Sequence, residues 1–134
     1  MEINLLILSP EGTVYSGSVD EVMFPTVLGD IGVLPGHMPL FTKLKEGEII
    51  VKKGAEETSI AITGGFLEIT KDKVNVLADY AIRSQDIEVE KAEQAKKRAE
   101  EALSSEKSYT LAEKELKKSI LELKIADKYR RKVK

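Results

Sequence analysis

Gly29-Asp30-Ile31-Gly32-Val33-Leu34-Pro35-Gly36-His37-Met38-Pro39-Leu40 gathers three of the chain's nine glycines, two of its four prolines and its single histidine into twelve residues. Two readings compete for it. As a phosphate cradle, a Gly-rich loop would let backbone N–H groups approach an anion and lead into a helix N-terminus. As a stiff connection between strands, the same residues would belong to a β-domain. Gly29-x-x-Gly32 lacks the following Lys-Ser/Thr of a P-loop, and Pro35 and Pro39 forbid a helix where that motif needs one. The stretch is therefore read as a rigid β-loop.

The flanking sequence agrees with a β-domain. Ile3 to Leu8 is apolar on both faces, as in a strand sandwiched inside a core, and Ser9-Pro10-Glu11-Gly12 turns the chain. Val14-Tyr15 resumes it, Ser16-Gly17-Ser18 is expected to interrupt, and Val19 to Phe24 alternates as one strand. Leu40-Phe41-Thr42 and Glu48 to Lys52 are expected to pair through a turn at Lys45-Glu46-Gly47. Thr58 to Ile62 alternates, Phe66 to Thr70 follows a Gly64-Gly65 break, and Lys71-Asp72-Lys73 turns into Val74 to Ala78. Eight or more strands with a turn signal about every ten residues indicate an all-β sandwich or barrel.

Beyond residue 85 the composition changes. Every glycine lies at or before Gly65 and every proline at or before Pro39, whereas Ala, Glu, Lys and Leu dominate the rest. Asp86 is the expected N-cap of a first helix, with Glu88 and Glu90 in its first turn. Ala92, Ala95, Ala99 and Ala102 recur at helical spacing and form a stripe on which another helix can pack closely. Ser104 to Ser108 reads as a turn, and Thr110 with Glu113 as the capping box that opens a second helix. There Ala112, Leu116, Ser119, Leu123 and Ala126 form the matching stripe, so an antiparallel hairpin is expected. Leu121 and Ile125 fall outside that seam. Lys114, Lys117, Lys124, Lys128 and Arg131 make a basic row on another face.

Composition narrows the chemistry. With 134 residues the chain holds one modest core plus an appendage, and its lack of cysteine removes disulfides, thiol chemistry and zinc–thiolate sites. One histidine cannot build a metal cluster, and His37 has no serine or cysteine nucleophile in a recognisable elbow. The longest apolar run is far below membrane-spanning length, so a soluble protein kept in the cytoplasm is expected. Residues 1 to 85 hold 12 acidic and 7 basic side chains, residues 86 to 134 hold 11 and 14, and the terminal segment from Tyr109 carries 4 and 9. That basic end points to an acidic partner surface, while the absence of an aromatic platform beside it argues against nucleic acid.

These features converge on a family. The full chain resembles the epsilon subunit of bacterial F-type ATP synthase: residues 29 to 39 are similar to its G-E/D-L/I-G-x-x-P-G-H-x-P signature, and Thr63-Gly64-Gly65-Phe66-Leu67-Glu68 to its S-G-G-F-x-E segment. Val76-Leu77-Ala78-Asp79 and Ala81-Ile82-Arg83 are further family-like stretches. The resemblance implies an α+β chain, with a ten-stranded β-sandwich over residues 1–85 and a helical hairpin over residues 86–134. It implies no catalysis and no required cofactor. It further implies a peripheral subunit at the cytoplasmic face of the plasma membrane, whose sandwich binds the gamma subunit and rests on the c-ring. The c-ring contact is carried over to Asp30 and, more loosely, to Gly29, Ile31 and His37. The hairpin is expected to inhibit ATP hydrolysis by laying the row Lys114, Lys117, Lys124, Lys128 and Arg131 against the beta subunits.

Some family members also bind ATP through I/L-D-x-x-R-A. Here Ile87-Glu88-Val89-Glu90-Lys91-Ala92 keeps the charges but not the guanidinium fork, Arg98 matches a further arginine, and Ile82 stands where those members carry glutamate. Glu88, Lys91 and Arg98 are thus the candidate ATP-binding residues. The alternative function on this basis is a freestanding ATP-binding sensor.

Overall fold

A computed structural model describes the backbone of residues 2–104 and 109–133, and the side-chain surroundings of residues 2–101 and 112–129. The chain divides into two compact units, Met1–Arg83 and Ser84–Lys134.

The first unit contains ten strands: β1 Ile3–Ser9, β2 Gly12–Val19, β3 Glu21–Thr26, β4 Gly29–Val33, β5 Leu40–Leu44, β6 Gly47–Lys53, β7 Glu56–Ile62, β8 Gly65–Thr70, β9 Lys73–Ala78 and β10 Ala81–Arg83. They hydrogen-bond in the order β10-β7-β6-β3-β5-β8-β9-β1-β2, with β4 added to β3. All pairs are antiparallel except β1 with β9, which runs parallel from Asn4 opposite Lys73 to Leu8 opposite Leu77. The sheet folds over a core of Ile3, Leu5, Ile7, Val22, Phe24, Ile49, Ile60, Leu67, Ile69 and Val76, among others. Period-two alternation is what sends these side chains to one face.

Strand β3 is where the two layers of the sandwich separate. Its N-terminal residues Glu21 to Met23 pair with β6, whereas Thr26 pairs with Leu44 of β5. The expected pairing of β5 with β6 is therefore corrected: the two share one edge of β3 end to end, and each turns its length to a different neighbour, β8 and β7. Two further expectations change. Ser16-Gly17-Ser18 does not break β2, because Gly17 stays in the ladder opposite Leu5 and the Ser18 hydroxyl reaches Asn4 Oδ1 at 3.3 Å. Val19 to Phe24 is not one strand, since Asp20 bends the chain between β2 and β3; its backbone N–H donates to Lys52 O and its carboxylate accepts from the Gly54 N–H.

In the second unit a 3-10 turn, Ser84–Asp86, precedes helices α1 Val89–Ser104 and α2 Tyr109–Val133. Asp86 is not the N-cap of α1. It lies in the 3-10 turn, where the Ile87 N–H donates back to Ser84 O, and the first helical hydrogen bond runs from the Ala92 N–H to Glu88 O. Glu88 thus occupies the cap position rather than the first turn. The two small-residue stripes bury Ala92 and Ala99 on α1 and Ala112, Ser119 and Ala126 on α2, which pack against each other as a hairpin. Off this seam Ile125 is buried and Leu121 half-buried, and the 3-10 turn packs along α2. The expected turn at 104–108 and the side chains of Ala102, Thr110 and Arg131 lie outside the described residues.

Candidate functional site

The signature stretch begins as strand β4. Pro25 faces Asp30 and Thr26 faces Gly29 across a hairpin whose two-residue tip is Val27-Leu28. Buried Thr26 ties this tip: its hydroxyl donates to Gly29 O and accepts the Leu28 N–H at 3.2 Å. Gly29 closes the hairpin at φ +120, a conformation that side-chain-bearing residues avoid. The result presents Asp30 exposed, next to an apolar tip on which Leu28 is 90% accessible.

The candidate ring-contact residues divide by orientation. Asp30 faces solvent, Gly29 is half-buried, and Ile31 packs against the core, so Ile31 supports the strand rather than offering a side chain outward. Beyond β4, Leu34-Pro35-Gly36-His37 closes a turn in which the His37 N–H donates to Leu34 O at 3.2 Å and Gly36 sits at φ +84. Pro and Gly at the two central positions are what a type II turn requires. His37 Nδ1 lies 2.7 Å from Met38 O, so this nitrogen carries the proton and donates to the backbone.

A second surface lies on the outer side of the sheet. On β5, β8 and β9 the side chains Phe41, Phe66 and Leu77 point away from the core and remain 67%, 46% and 59% accessible. The Phe41 and Phe66 rings stack with centroids 5.8 Å apart and planes 21° from parallel. Leu6 and Leu8 join them in a shallow groove bordered by Glu68 and Asn75. The available signal was phase: in Phe66-Leu67-Glu68-Ile69-Thr70, Phe66 falls on the polar side of the alternation.

On α1, Glu88, Lys91 and Arg98 share one side by spacing and all are exposed. Lys91 Nζ sits 3.0 Å from Glu88 Oε2, and Arg98 Nε donates to Gln94 O one turn back at 3.4 Å. On α2, Lys114, Lys117, Lys124 and Lys128 are exposed on the side opposite the buried Ala112, Ser119 and Ala126, with Lys117 paired to Glu113 at 3.6 Å. Among the described residues no group of three or more His, Asp or Glu side chains is arranged to hold a metal ion, and no helix is long and apolar enough to cross a membrane.

Comparison with known proteins follows the same division. Residues 2–84 match the family described as ATP synthase, Delta/Epsilon chain, beta-sandwich domain, and residues 85–127 match ATP synthase, Delta/Epsilon chain, long alpha-helix domain. The chain is 40% identical to the ATP synthase epsilon chain of Dehalococcoides mccartyi over 134 residues, covering 97% of this chain and 96% of that one. It is 43% identical to the ATP synthase epsilon chain of Alkalihalophilus pseudofirmus over 105 residues, covering 78% and 79%. Its fold is similar to a chain in the Euglena gracilis mitochondrial ATP synthase structure comprising OSCP, F1 and c-ring, with a TM-score of 0.68 at 20% identity over 99% of this chain and 82% of that one. A sandwich and a helical hairpin in this order, each matched by its own family domain, with a relative 40% identical over almost its whole length, place the chain in the ATP synthase epsilon chain family.

Proposed function

We propose that this chain transmits torque and restrains hydrolysis without performing chemistry. In this reading the sandwich unit grips the gamma subunit through the Phe41–Phe66–Leu77 face and meets the polar loops of the c-ring through Asp30. It thereby couples proton-driven ring rotation to ATP synthesis. The observation that carries the reading is the tandem of both family domains along residues 2–127, joined where the two compact units divide. The chain then sits peripherally, at the cytoplasmic face of a bacterial plasma membrane.

The helical unit supplies the regulation. Extended along gamma, α2 would turn its basic row, Lys114, Lys117, Lys124, Lys128 and Arg131, toward acidic residues of the beta subunits. Each exposed ion pair contributes only about 0–1 kcal/mol and is screened by salt, so such a contact holds collectively and releases readily. The test is ATP hydrolysis by the assembled complex with the full chain and with one ending at Gln85. The shortened chain should assemble normally and hydrolyse ATP several-fold faster, most clearly at low ionic strength. An unchanged rate would remove the inhibitory role.

No cofactor is needed for this mechanical work. ATP as a regulatory ligand would have to displace Glu88 from Lys91 and draw Arg98 away from its own helix backbone. Lys91 would serve as a point charge for phosphate without the bidentate fork of arginine. The expected affinity is therefore weak, with Kd on the order of millimolar. Isothermal titration of the chain with ATP checks this, and saturation in the low micromolar range would favour the sensor reading instead.

A further inference from the structure

Strands β10 and β2 stand at the two ends of the sheet order, and among the described residues no backbone ladder joins them. Between β1 and β2 the register shifts: Ile7 faces Tyr15 and Leu8 faces Thr13, leaving Val14 as the extra residue of a β-bulge. A bulged residue is left out of the ladder, so its carbonyl is free to take another donor. Arg83, the last residue of both β10 and the sandwich unit, takes it. Its Nε and Nη2 lie 3.3 and 3.2 Å from Val14 O, and its guanidinium carbon lies 5.8 Å from the centre of the Tyr15 ring.

We propose that Arg83 is the clasp that closes the sheet on itself, fastening edge strand β10 to the bulge of edge strand β2 and fixing the point from which the chain leaves for the helical unit. Three observations converge on it: the bulge that frees one carbonyl, a forked donor aimed at that carbonyl, and an aromatic face under the same cation. Only a planar guanidinium can donate two N–H groups to one oxygen while lying against a ring; a lysine ammonium cannot do both. The clasp also answers a weakness of the topology. With three residues and, among the described residues, only β7 as a ladder partner, β10 would fray readily unless its end were tied. The next residue, buried Ser84, already belongs to the helical unit, so a pull on that unit reaches Arg83 first. The inference does not depend on the function proposed above.

Hydrogen–deuterium exchange on the full chain tests it. Arg83→Met keeps the aliphatic stem and removes both donors and the charge. Exchange in segments 81–83 and 12–19 should rise roughly ten- to a hundredfold, as expected for losing charge-assisted hydrogen bonds, while β8 and β9 keep their wild-type rates. Arg83→Lys should recover part of the protection. Unchanged exchange in both segments, or an equal rise in β8 and β9, would overturn the clasp. Should Arg83→Met not fold, Tyr15→Leu leaves the two hydrogen bonds and removes the ring. A smaller rise confined to the same segments is then expected, and no rise there would overturn the proposal.

Discussion

Gly65→Ala should destabilise the sandwich unit by about 3–5 kcal/mol, combining a strained backbone with an overpacked contact. Gly65 opens β8 opposite both Leu44 and Ala78, at φ +150, where a side chain is already disfavoured. A Cβ there would meet backbone rather than flexible side chains: Ala78 Cα at 2.8 Å and, closer still, the Leu77 carbonyl oxygen. Relief would require β8 to move away from β9, which would disturb Leu67, Val76 and the rest of the core between them. Domains of this size are stable by about 5–15 kcal/mol in total, so the change removes a large fraction of the unit's stability. Urea unfolding followed by far-UV circular dichroism checks this; a midpoint within a few tenths of a molar of wild type would mean that the strands absorb the methyl. The preceding Gly64 is a milder case. Its Cβ would lie 3.5 Å from Asp79 Oδ2, an ordinary contact, although its φ of +140 still disfavours substitution.

The double glycine was legible in the sequence only as a break before a strand, because nothing in the local pattern says that Leu77 lies directly against Gly65. That contact depends on a partner strand more than ten residues away. The same limit explains the mistaken β5–β6 pairing. Turn chemistry at Lys45-Glu46-Gly47 correctly shows where the chain bends, but β3 offers its edge to both strands in succession, which is a non-local outcome. Periodicity encodes local order: alternation marks strands such as β7 and β8 but also runs through the bend at Asp20, and alanine spacing marks the helical seam. Asp86 failed as a cap because the 3-10 turn at Ser84 delays the helix by one short loop. Asp30 stands in a recognisable motif, whereas Thr26 carries none, although a Thr two residues before the end of a tight turn can form an ST-turn.

If the apolar face is the gamma contact proposed above, Phe66→Glu should leave the fold intact and weaken binding to the gamma subunit by roughly 30- to 1000-fold, the range for losing an aromatic anchor at the centre of an interface. For stability, Phe66 already points away from the core, so the change forfeits mainly its stacking on Phe41, about 0.5–1.5 kcal/mol. Part of that is offset because the new carboxylate would stand directly across the β5–β8 ladder from Lys43, where opposite charges are favourable. For binding, the same carboxylate would sit beside Leu6, Leu8 and Leu77, and a partner covering that groove would have to strip water from it and from the facing Lys43, a desolvation cost that an ion pair repays only in part. Phe66→Leu, which keeps apolar area but loses the stack, should fall between the two. Titration of the purified gamma subunit with each folded variant measures the effect. Wild-type affinity for Phe66→Glu would overturn the gamma contact proposed for this apolar face.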